Sequence, residues 1–414
     1  MVAAMEGEVY GPFLSPASKR KQMTLVSLAL VIWKRRANPV WTGGDARPAA
    51  QKDTRGQQMA IDFDKEMVGT VEVSDTDRLD MEALTAWFEA NVEGFSGPIS
   101  YTKFKGGQSN PTYKIETPST NYVLRRQPFG KLLPSAHAVD REYAVMTGLH
   151  PTGFPVPKTY GLCEDSAVLG SKFLVMSLAD GRSLWNGALP GREPDERRAI
   201  YNSLIDTIAD MHLNKPDEIG LGDYGKPTDY CARQIGRWSK QYKLSETEHM
   251  PNMERLIEWL PQTIPPQHGS SVVHGDYRLD NVIYHKTEPR IIAVLDWELS
   301  TLGDPIADFS YLMLNWLQPA EGRAGLLGLK LEELGIPSVQ EAVDRYVART
   351  GFPLPPMEWY FAYNLFRAAG ITQGIKKRVI DGTASSAHAK SMSDRVAPLV
   401  DAAYNFALQA GMPE

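Results

Sequence analysis

One polar loop flanked by short apolar stretches constrains this chain of 414 residues more than any other feature. The loop reads His274-Gly275-Asp276-Tyr277-Arg278-Leu279-Asp280-Asn281. Apolar residues of strand type stand on both sides of it, so we expect a strand, a tight loop and a second strand. Such a unit holds Asp276 and Asn281 on one rigid loop. A third apolar stretch, at 291–295, leads directly into Asp296.

The residue types at these three positions indicate a particular chemistry. A carboxylate at Asp276 can accept or orient the proton of an attacking hydroxyl group. Asn281 offers a neutral oxygen and Asp296 a charged oxygen, and Mg²⁺ prefers oxygen ligands of these kinds. Phosphoryl transfer needs positioning and charge neutralisation more than covalent chemistry. The three residues together therefore favour a phosphoryl-transfer site.

The spacing HxDxxxxN, followed by an aspartate at the end of a strand, resembles the aminoglycoside phosphotransferase family of the protein-kinase-like superfamily. The resemblance covers about residues 99–411. It implies that Asp276 is the catalytic base, that Asn281 and Asp296 hold Mg²⁺ beside ATP, and that all three are catalytic. It also implies an α+β bilobal fold, with a small antiparallel sheet in the N-terminal lobe and a larger helical C-terminal lobe.

The order of apolar patterns along the chain agrees with two lobes. Alternating stretches at 99–104, 112–115 and 122–125, and an apolar strand at 172–176, predict a small sheet with one helix at 136–149. Helical spacing then dominates, at 199–213, 230–242, 253–260, 306–316, 339–350, 359–377 and 387–410. We expect a nucleotide-binding lobe at 59–178, a catalytic and substrate lobe at 179–414, and a poorly ordered extension at 1–58.

The resemblance implies further nucleotide contacts in the first lobe. Gly106, Gly107 and Ser109 lie in a loop that would cover the phosphates, because glycines let backbone N–H groups approach an anion closely. The family expects a lysine on the third strand, and this position holds Arg125, with Glu142 as its partner; a shift of register would present Arg126 instead. The hinge that begins at Met176 would bind adenine through its backbone.

Two further residues are expected to organise the loop. His274 precedes the catalytic aspartate, and Asp308 lies inside a helix that starts at Asp304-Pro305 with an N-cap and a proline at the first helical position. In the kinase-like fold an acidic residue at this place braces the loop. We therefore assign structural roles to His274 and Asp308.

The substrate pocket should lie between the polar loop and the C-terminal helices. Its candidate residues are Arg237, Trp238, Tyr242 and Arg367, with Gln373 nearby. The segments at 233–238 and 366–375 resemble the kinase-like domain associated with acyl-CoA dehydrogenases. That resemblance implies ATP-dependent phosphorylation of a small-molecule hydroxyl, in a hydroxyacyl-CoA or a hydroxy acid, and a functional link to an acyl-CoA dehydrogenase. The alternatives are an aminoglycoside or choline-like kinase, and a catalytically weak nucleotide-binding pseudokinase.

The net charge and one apolar run indicate which partners and which location to expect. The net charge is −6, which argues against a general nucleic-acid binder, since such proteins need a basic face. The apolar run at 23–33 is shorter than the roughly 18 residues of a membrane-spanning helix, so membrane association is not expected. We expect a cytoplasmic protein.

Overall fold

The computed structural model describes residues 68–105, 110–129, 137–320, 324–382 and 392–414. All of them belong to one compact unit, Ile61–Glu414. The predicted extension at 1–58 and the predicted phosphate-loop residues Gly106, Gly107 and Ser109 lie outside the described residues. None of the described helices is long and apolar enough to cross a bilayer.

The first part of the described chain is an antiparallel sheet with the strand order β1-β2-β3-β4-β6-β5. Its strands are β1 Thr70–Val71, β2 Ser100–Phe104, β3 Thr112–Glu116, β4 Asn121–Arg126, β5 Thr159–Cys163 and β6 Phe173–Ser177. Helices α1 Met81–Asn91, α2 Val139–Leu149 and the short α3 Ser166–Leu169 accompany it. On β3 the side chains of Tyr113 and Ile115 are buried and their neighbours are not, which is the period of two that predicted this strand.

The second part is mostly helical. Its helices are α4 Pro194–Leu213, α5 Tyr230–Ser245, α6 Pro251–Trp259, α7 Pro305–Leu312, α8 Leu314–Leu317, α9 Leu331–Leu334, α10 Val339–Thr350, α11 Glu358–Ile380 and α12 Val396–Gln409. Two small antiparallel sheets lie among them, β10-β9-β7 and β11-β8. Their strands are β7 Arg182–Ser183, β8 Ser271–Val273, β9 Val282–Tyr284, β10 Ile291–Val294 and β11 Thr301–Gly303.

The helix predicted at 306–316 is interrupted at Met313. Its backbone there keeps helical torsion angles, with φ −64° and ψ −15°. The next turn, however, closes through a hydrogen bond from the Trp316 N–H to the Met313 carbonyl, which spans three residues instead of four. The local tightening to a 3₁₀ turn separates α7 from α8, and an apolar pattern does not reveal such a change.

Helix α4 carries the polar loop on its buried face. Its predicted stripe, Ile200, Leu204, Ile208 and Met211, is fully buried. The hydroxyl of Tyr277, inside the loop, donates to the Leu204 carbonyl over 3.0 Å, and the hydroxyl of Tyr284 on β9 donates to the Ile200 carbonyl over 3.1 Å. The helix thus supports the loop through two tyrosines as well as through apolar packing.

Replacing Leu204 tests how much this packing stabilises the protein. Leu204→Ala should lower the free energy of unfolding by roughly 2–5 kcal/mol, because it leaves a cavity under the loop. The measurement is urea unfolding followed by circular dichroism. The matched control is Leu213→Ala on the same helix, where the side chain is 45% exposed and the expected change is within about 0.5 kcal/mol. Equal losses in the two variants would contradict the assignment of the core.

Candidate active site

The loop at 274–281 connects β8 to β9, and its first residues are tightly held. Gly275 has a φ of +80°, and a Cβ atom there would lie 2.9 Å from the Leu299 carbonyl oxygen, so this position requires glycine. Nε2 of His274 lies 2.8 Å from the Leu295 carbonyl oxygen, and Nδ1 accepts the Asp276 N–H over 3.2 Å. Both contacts suit one neutral tautomer, with the proton on Nε2. His274 therefore ties Asp276 to the residue that precedes Asp296.

Asp308 on α7 holds the same loop from the other side. Its carboxylate accepts the backbone N–H groups of His274 and Gly275, each over 2.8 Å, and Nε2 of His212 lies 3.2 Å away. Burial alone would raise the pKa of Asp308, but its hydrogen bonds and favourable electrostatic interactions with His212 and His274 outweigh burial, so the pKa lies below its ordinary value. A charged carboxylate here matches two backbone donors, as the proposed structural role requires.

Asp276 lies at the centre of the candidate site, and both of its carboxylate oxygens are in contact with protein groups. The amide nitrogen of Asn281 donates to Oδ2 over 3.0 Å and to the Asp276 carbonyl over 2.9 Å. Tyr311 of α7 donates its hydroxyl to Oδ1 over 2.6 Å. Nε of Arg278 lies 3.2 Å from the same Oδ1 as an ion pair.

Asp296 follows β10 in the left-handed backbone region, with a φ of +67° and a ψ of 59°. Non-glycine residues adopt this conformation rarely, and such residues cluster at functional sites. The backbone N–H of Leu295 donates to the Asn281 carbonyl over 2.9 Å. The structure thus brings together the three residues that the sequence analysis selected, Asp276, Asn281 and Asp296.

Arg125 joins the six-stranded sheet to this group. Its Nη2 donates to Oδ1 of Asp296 over 2.7 Å, and its Nε donates to Oε1 of Glu142 on α2 over 2.9 Å. Burial opposes the charge, but Glu142 and Asp296 hold the pKa of Arg125 above its ordinary value. Arg126 points to the opposite face of β4, where its Nε lies 3.2 Å from the Tyr113 hydroxyl. The register that presents Arg126 to the site is therefore wrong.

The residues present fit a Mg²⁺ ion. The amide nitrogen of Asn281 is used by Asp276, which leaves the amide oxygen for another ligand. The Asp296 side chain is one-third exposed. Arg125 contacts its Oδ1 and leaves Oδ2 for another ligand. Hard oxygen donors of this kind, one neutral and one charged, suit Mg²⁺, which keeps several of its positions for water and phosphate.

Three residues at the site were not assigned in advance. Arg278 belongs to the polar loop itself, and Tyr311 lies three residues after Asp308, on the same face of α7. Glu298 follows Asp296 by two residues, and burial together with the charge of Asp296 raises the pKa of Glu298 to about 7. Glu298 could have been found from its spacing from Asp296, and Tyr311 from its spacing from Asp308.

The predicted substrate residues do not share one environment. Arg237 is exposed on α5, with its guanidinium 5.3 Å from the Trp238 ring centre, and Trp238 packs against Gly370 of α11. Tyr242, by contrast, is fully buried in the helical core, so its predicted contact with a substrate is wrong for this structure.

Arg367 also differs from expectation. Arg367 is only 4% exposed; its guanidinium donates to the Gly275 carbonyl and lies 4.8 Å from the Tyr311 ring centre. Arg367 therefore supports the loop with a buried side chain. Gln373 is buried too, and donates to the Ser245 carbonyl over 2.5 Å. Met176 is the next-to-last residue of β6 and its side chain is buried; its predicted backbone contact with adenine stays a prediction.

Comparisons with known proteins identify the family. The profile of the phosphotransferase enzyme family, APH, matches residues 100–344. Acyl-CoA dehydrogenase family member 10 of Mus musculus is 42% identical over 320 residues, covering 76% of this chain and 30% of that protein. Acyl-CoA dehydrogenase family member 11 of Homo sapiens is 36% identical over 337 residues, covering 80% of this chain and 43% of that protein. The chain thus spans less than half the length of these relatives.

Solved structures agree with the family and the fold. A crystal structure from Ralstonia eutropha JMP134, described as a putative aminoglycoside phosphotransferase, is 50% identical with a TM-score of 0.74, over 80% of this chain and 99% of that chain. Spectinomycin phosphotransferase APH(9)-Ia, solved with ADP and spectinomycin, is 12% identical with a TM-score of 0.54, over 80% of this chain and 99% of that one; this likeness shows the fold alone. The expected α+β bilobal fold is confirmed, and this chain belongs to the APH phosphotransferase family, within the protein-kinase-like fold.

Proposed function

We propose that this protein transfers a phosphoryl group from ATP to a hydroxyl group of a small molecule, with Mg²⁺ as cofactor. The observation that carries the proposal is the convergence of Asp276, Asn281 and Asp296. The Asn281 amide binds Oδ2 of Asp276 over 3.0 Å, and the Asn281 backbone accepts the N–H of the residue before Asp296. A carboxylate base and two oxygen ligands for a hard cation are thereby combined in one group of residues.

Each of these residues has a distinct part in the proposed reaction. Asp276 orients the acceptor hydroxyl and takes its proton as the oxygen attacks phosphorus. Asn281 and Asp296 hold the metal, which when bound neutralises the negative charge of the phosphates. Arg125, paired with Glu142, places a fixed positive charge beside Asp296, within reach of a polyphosphate.

The remaining nucleotide contacts follow from the family resemblance. We propose that Gly106, Gly107 and Ser109 cover the phosphates and that the hinge that begins at Met176 binds adenine through its backbone. The lobe at 59–178 would then bind the nucleotide, and the lobe at 179–414 would supply the base and the acceptor pocket. The N–H groups of glycines suit an anionic ligand, because no side chain blocks their approach.

A hydroxyacyl-CoA or a hydroxy acid is the acceptor class that we favour. The names of the mammalian relatives refer to acyl-CoA dehydrogenases, which supports an acyl-CoA acceptor and a functional link to such an enzyme. Arg237, exposed beside Trp238, offers a positive charge for an anionic acceptor. The description of the Ralstonia structure favours a second candidate, an aminoglycoside, whose positive charges such a residue would repel.

A nucleotide-binding pseudokinase is a weaker alternative. Arg125 in place of the expected lysine favours it, because a guanidinium is bulkier than an ammonium group and here binds two carboxylates, those of Glu142 and Asp296. Retention of all three residues, Asp276, Asn281 and Asp296, opposes it.

Removal of the metal and of the base tests the reaction itself. With Mg²⁺ and an acceptor that carries a hydroxyl group, the purified protein should convert ATP to ADP and phosphorylated acceptor, and it should lose this activity with EDTA. Asp276→Ala and Asp296→Ala should each lower the turnover at least about 100-fold, because they remove the base and a metal ligand. The control is Glu288→Gln, a half-exposed carboxylate on the β9–β10 turn, which should have normal turnover. Undiminished turnover in purified Asp276→Ala would defeat the assignment.

An acceptor panel tests the substrate class. Transfer of ³²P from ATP should be detected with hydroxyacyl-CoAs or free hydroxy acids, and not with aminoglycosides or choline. With the active acceptor, Arg237→Gln should raise the acceptor KM by about fivefold and leave the KM for ATP unchanged, since an exposed charge contributes about 1 kcal/mol. Lys240→Gln, an exposed cation on the same helix, is the matched control. Transfer to aminoglycosides alone would reverse our ranking.

A further inference from the structure

The hydroxyl of Tyr311 makes the shortest contact to Asp276 in the described part of the chain. It donates to Oδ1 over 2.6 Å, a charge-assisted hydrogen bond because the acceptor is a carboxylate. Burial and the charge of Asp276 raise the pKa of Tyr311 above its ordinary value, so the hydroxyl keeps its proton and remains a donor. Tyr311 has no part in the function proposed above.

The two oxygens of Asp276 are engaged unequally. Oδ1 is covered from two directions, by the Tyr311 hydroxyl at 2.6 Å and by Nε of Arg278 at 3.2 Å. Oδ2 accepts one hydrogen bond, from the amide of Asn281. A carboxylate offers about four lone-pair positions over its two oxygens. The oxygen with room for an additional donor is therefore Oδ2, on the side of Asn281.

The ring of Tyr311 is itself held in place. It belongs to α7, whose first turn is capped by Asp304, with a hydrogen bond of 2.9 Å from the Ile306 N–H to Oδ1. The guanidinium of Arg367 lies 4.8 Å from the ring centre, a cation–π contact, and also binds the Gly275 carbonyl. A rigid helix and a buried arginine thus fix the direction of the hydroxyl.

We propose that Tyr311 is a positioning residue, which closes Oδ1 of Asp276 and directs the acceptor hydroxyl to Oδ2. The inference rests on the proposed phosphotransferase function and deepens it. An acceptor hydroxyl on Oδ2 lies next to Asn281 and therefore close to the proposed metal site. Closure of Oδ1 also denies water a second position on the base, so Tyr311 limits the hydrolysis of ATP relative to transfer.

The test is Tyr311→Phe, which removes the hydroxyl and keeps the ring against Arg367. We measure phosphorylated acceptor and ADP in parallel, with the acceptor that is active in the panel. The kcat for transfer should fall about tenfold. Without the hydroxyl, the Asp276 side chain adopts other rotamers, in which its carboxylate is misplaced for the reaction. The KM for ATP should stay within about twofold, and the ratio of ADP to phosphorylated acceptor should rise. The control is Tyr404→Phe, which removes a hydroxyl that contacts Arg255 of α6 and should change neither quantity.

A double-mutant cycle separates positioning from general stability. If Tyr311 acts through Asp276, Tyr311→Phe should have no further effect on the residual turnover of an Asp276→Asn variant. Two results would overturn this inference without affecting the proposed function. One is that Tyr311→Phe lowers turnover equally with Asp276 and with Asn at position 276. The other is that Tyr311→Phe keeps transfer within twofold of the wild type with an unchanged product ratio. The appearance of phosphate on Tyr311 after incubation with MgATP would overturn it too, since the hydroxyl would then be an acceptor. A wild-type protein that turns over no ATP with any acceptor of the panel would overturn the proposed function as well.

Discussion

The buried carboxylate of Asp308 is the interaction on which the geometry of the site depends. A tight turn after a short strand leaves backbone N–H groups without partners, and burying them unpaired costs free energy. Asp308 accepts two of them, from His274 and Gly275, and His212 and the helix α7 in turn hold Asp308. These contacts hold the loop in one conformation, and that conformation determines where Asp276 lies. A loop without this support would present the same residues in many directions.

The second constraint is the group of charges around Arg125. Its guanidinium binds one carboxylate from α2 and one from the end of β10, so a single side chain links the six-stranded sheet to the strands of the helical part. Buried ion pairs contribute little net stability, because desolvation offsets the attraction. Such ion pairs do restrict the positions of the charged side chains, since moving one partner away would leave the other as an unpaired buried charge. The arrangement explains how Arg125, Glu142 and Asp296, distant in sequence, come to lie together.

Much of this structure could be predicted from patterns of a few residues. The apolar stripe on α4 and the alternation on β3 are local, and both elements form where the sequence indicated. Asp276, Asn281 and Asp296 could be selected because their spacing reflects two short strands with the loop between them and a third strand just before Asp296. Arg367 and Tyr242 could not be judged in the same way. Each has the chemistry of a binding residue, and only the packing of α5, α11 and the loop buries them.

The sequence by itself determined the element types and the three polar residues at the centre of the site, since these depend on local periodicity and spacing, and it carries the motif by which the chain resembles its family. The tertiary structure alone decided which groups from distant parts of the chain lie at the site. Tyr311 is 35 residues away from it along the chain, Arg367 is 92 residues away from Gly275, and Arg125 is 171 residues away from Asp296. Contacts over such separations are set by how helices and strands pack against one another, and no short pattern encodes them.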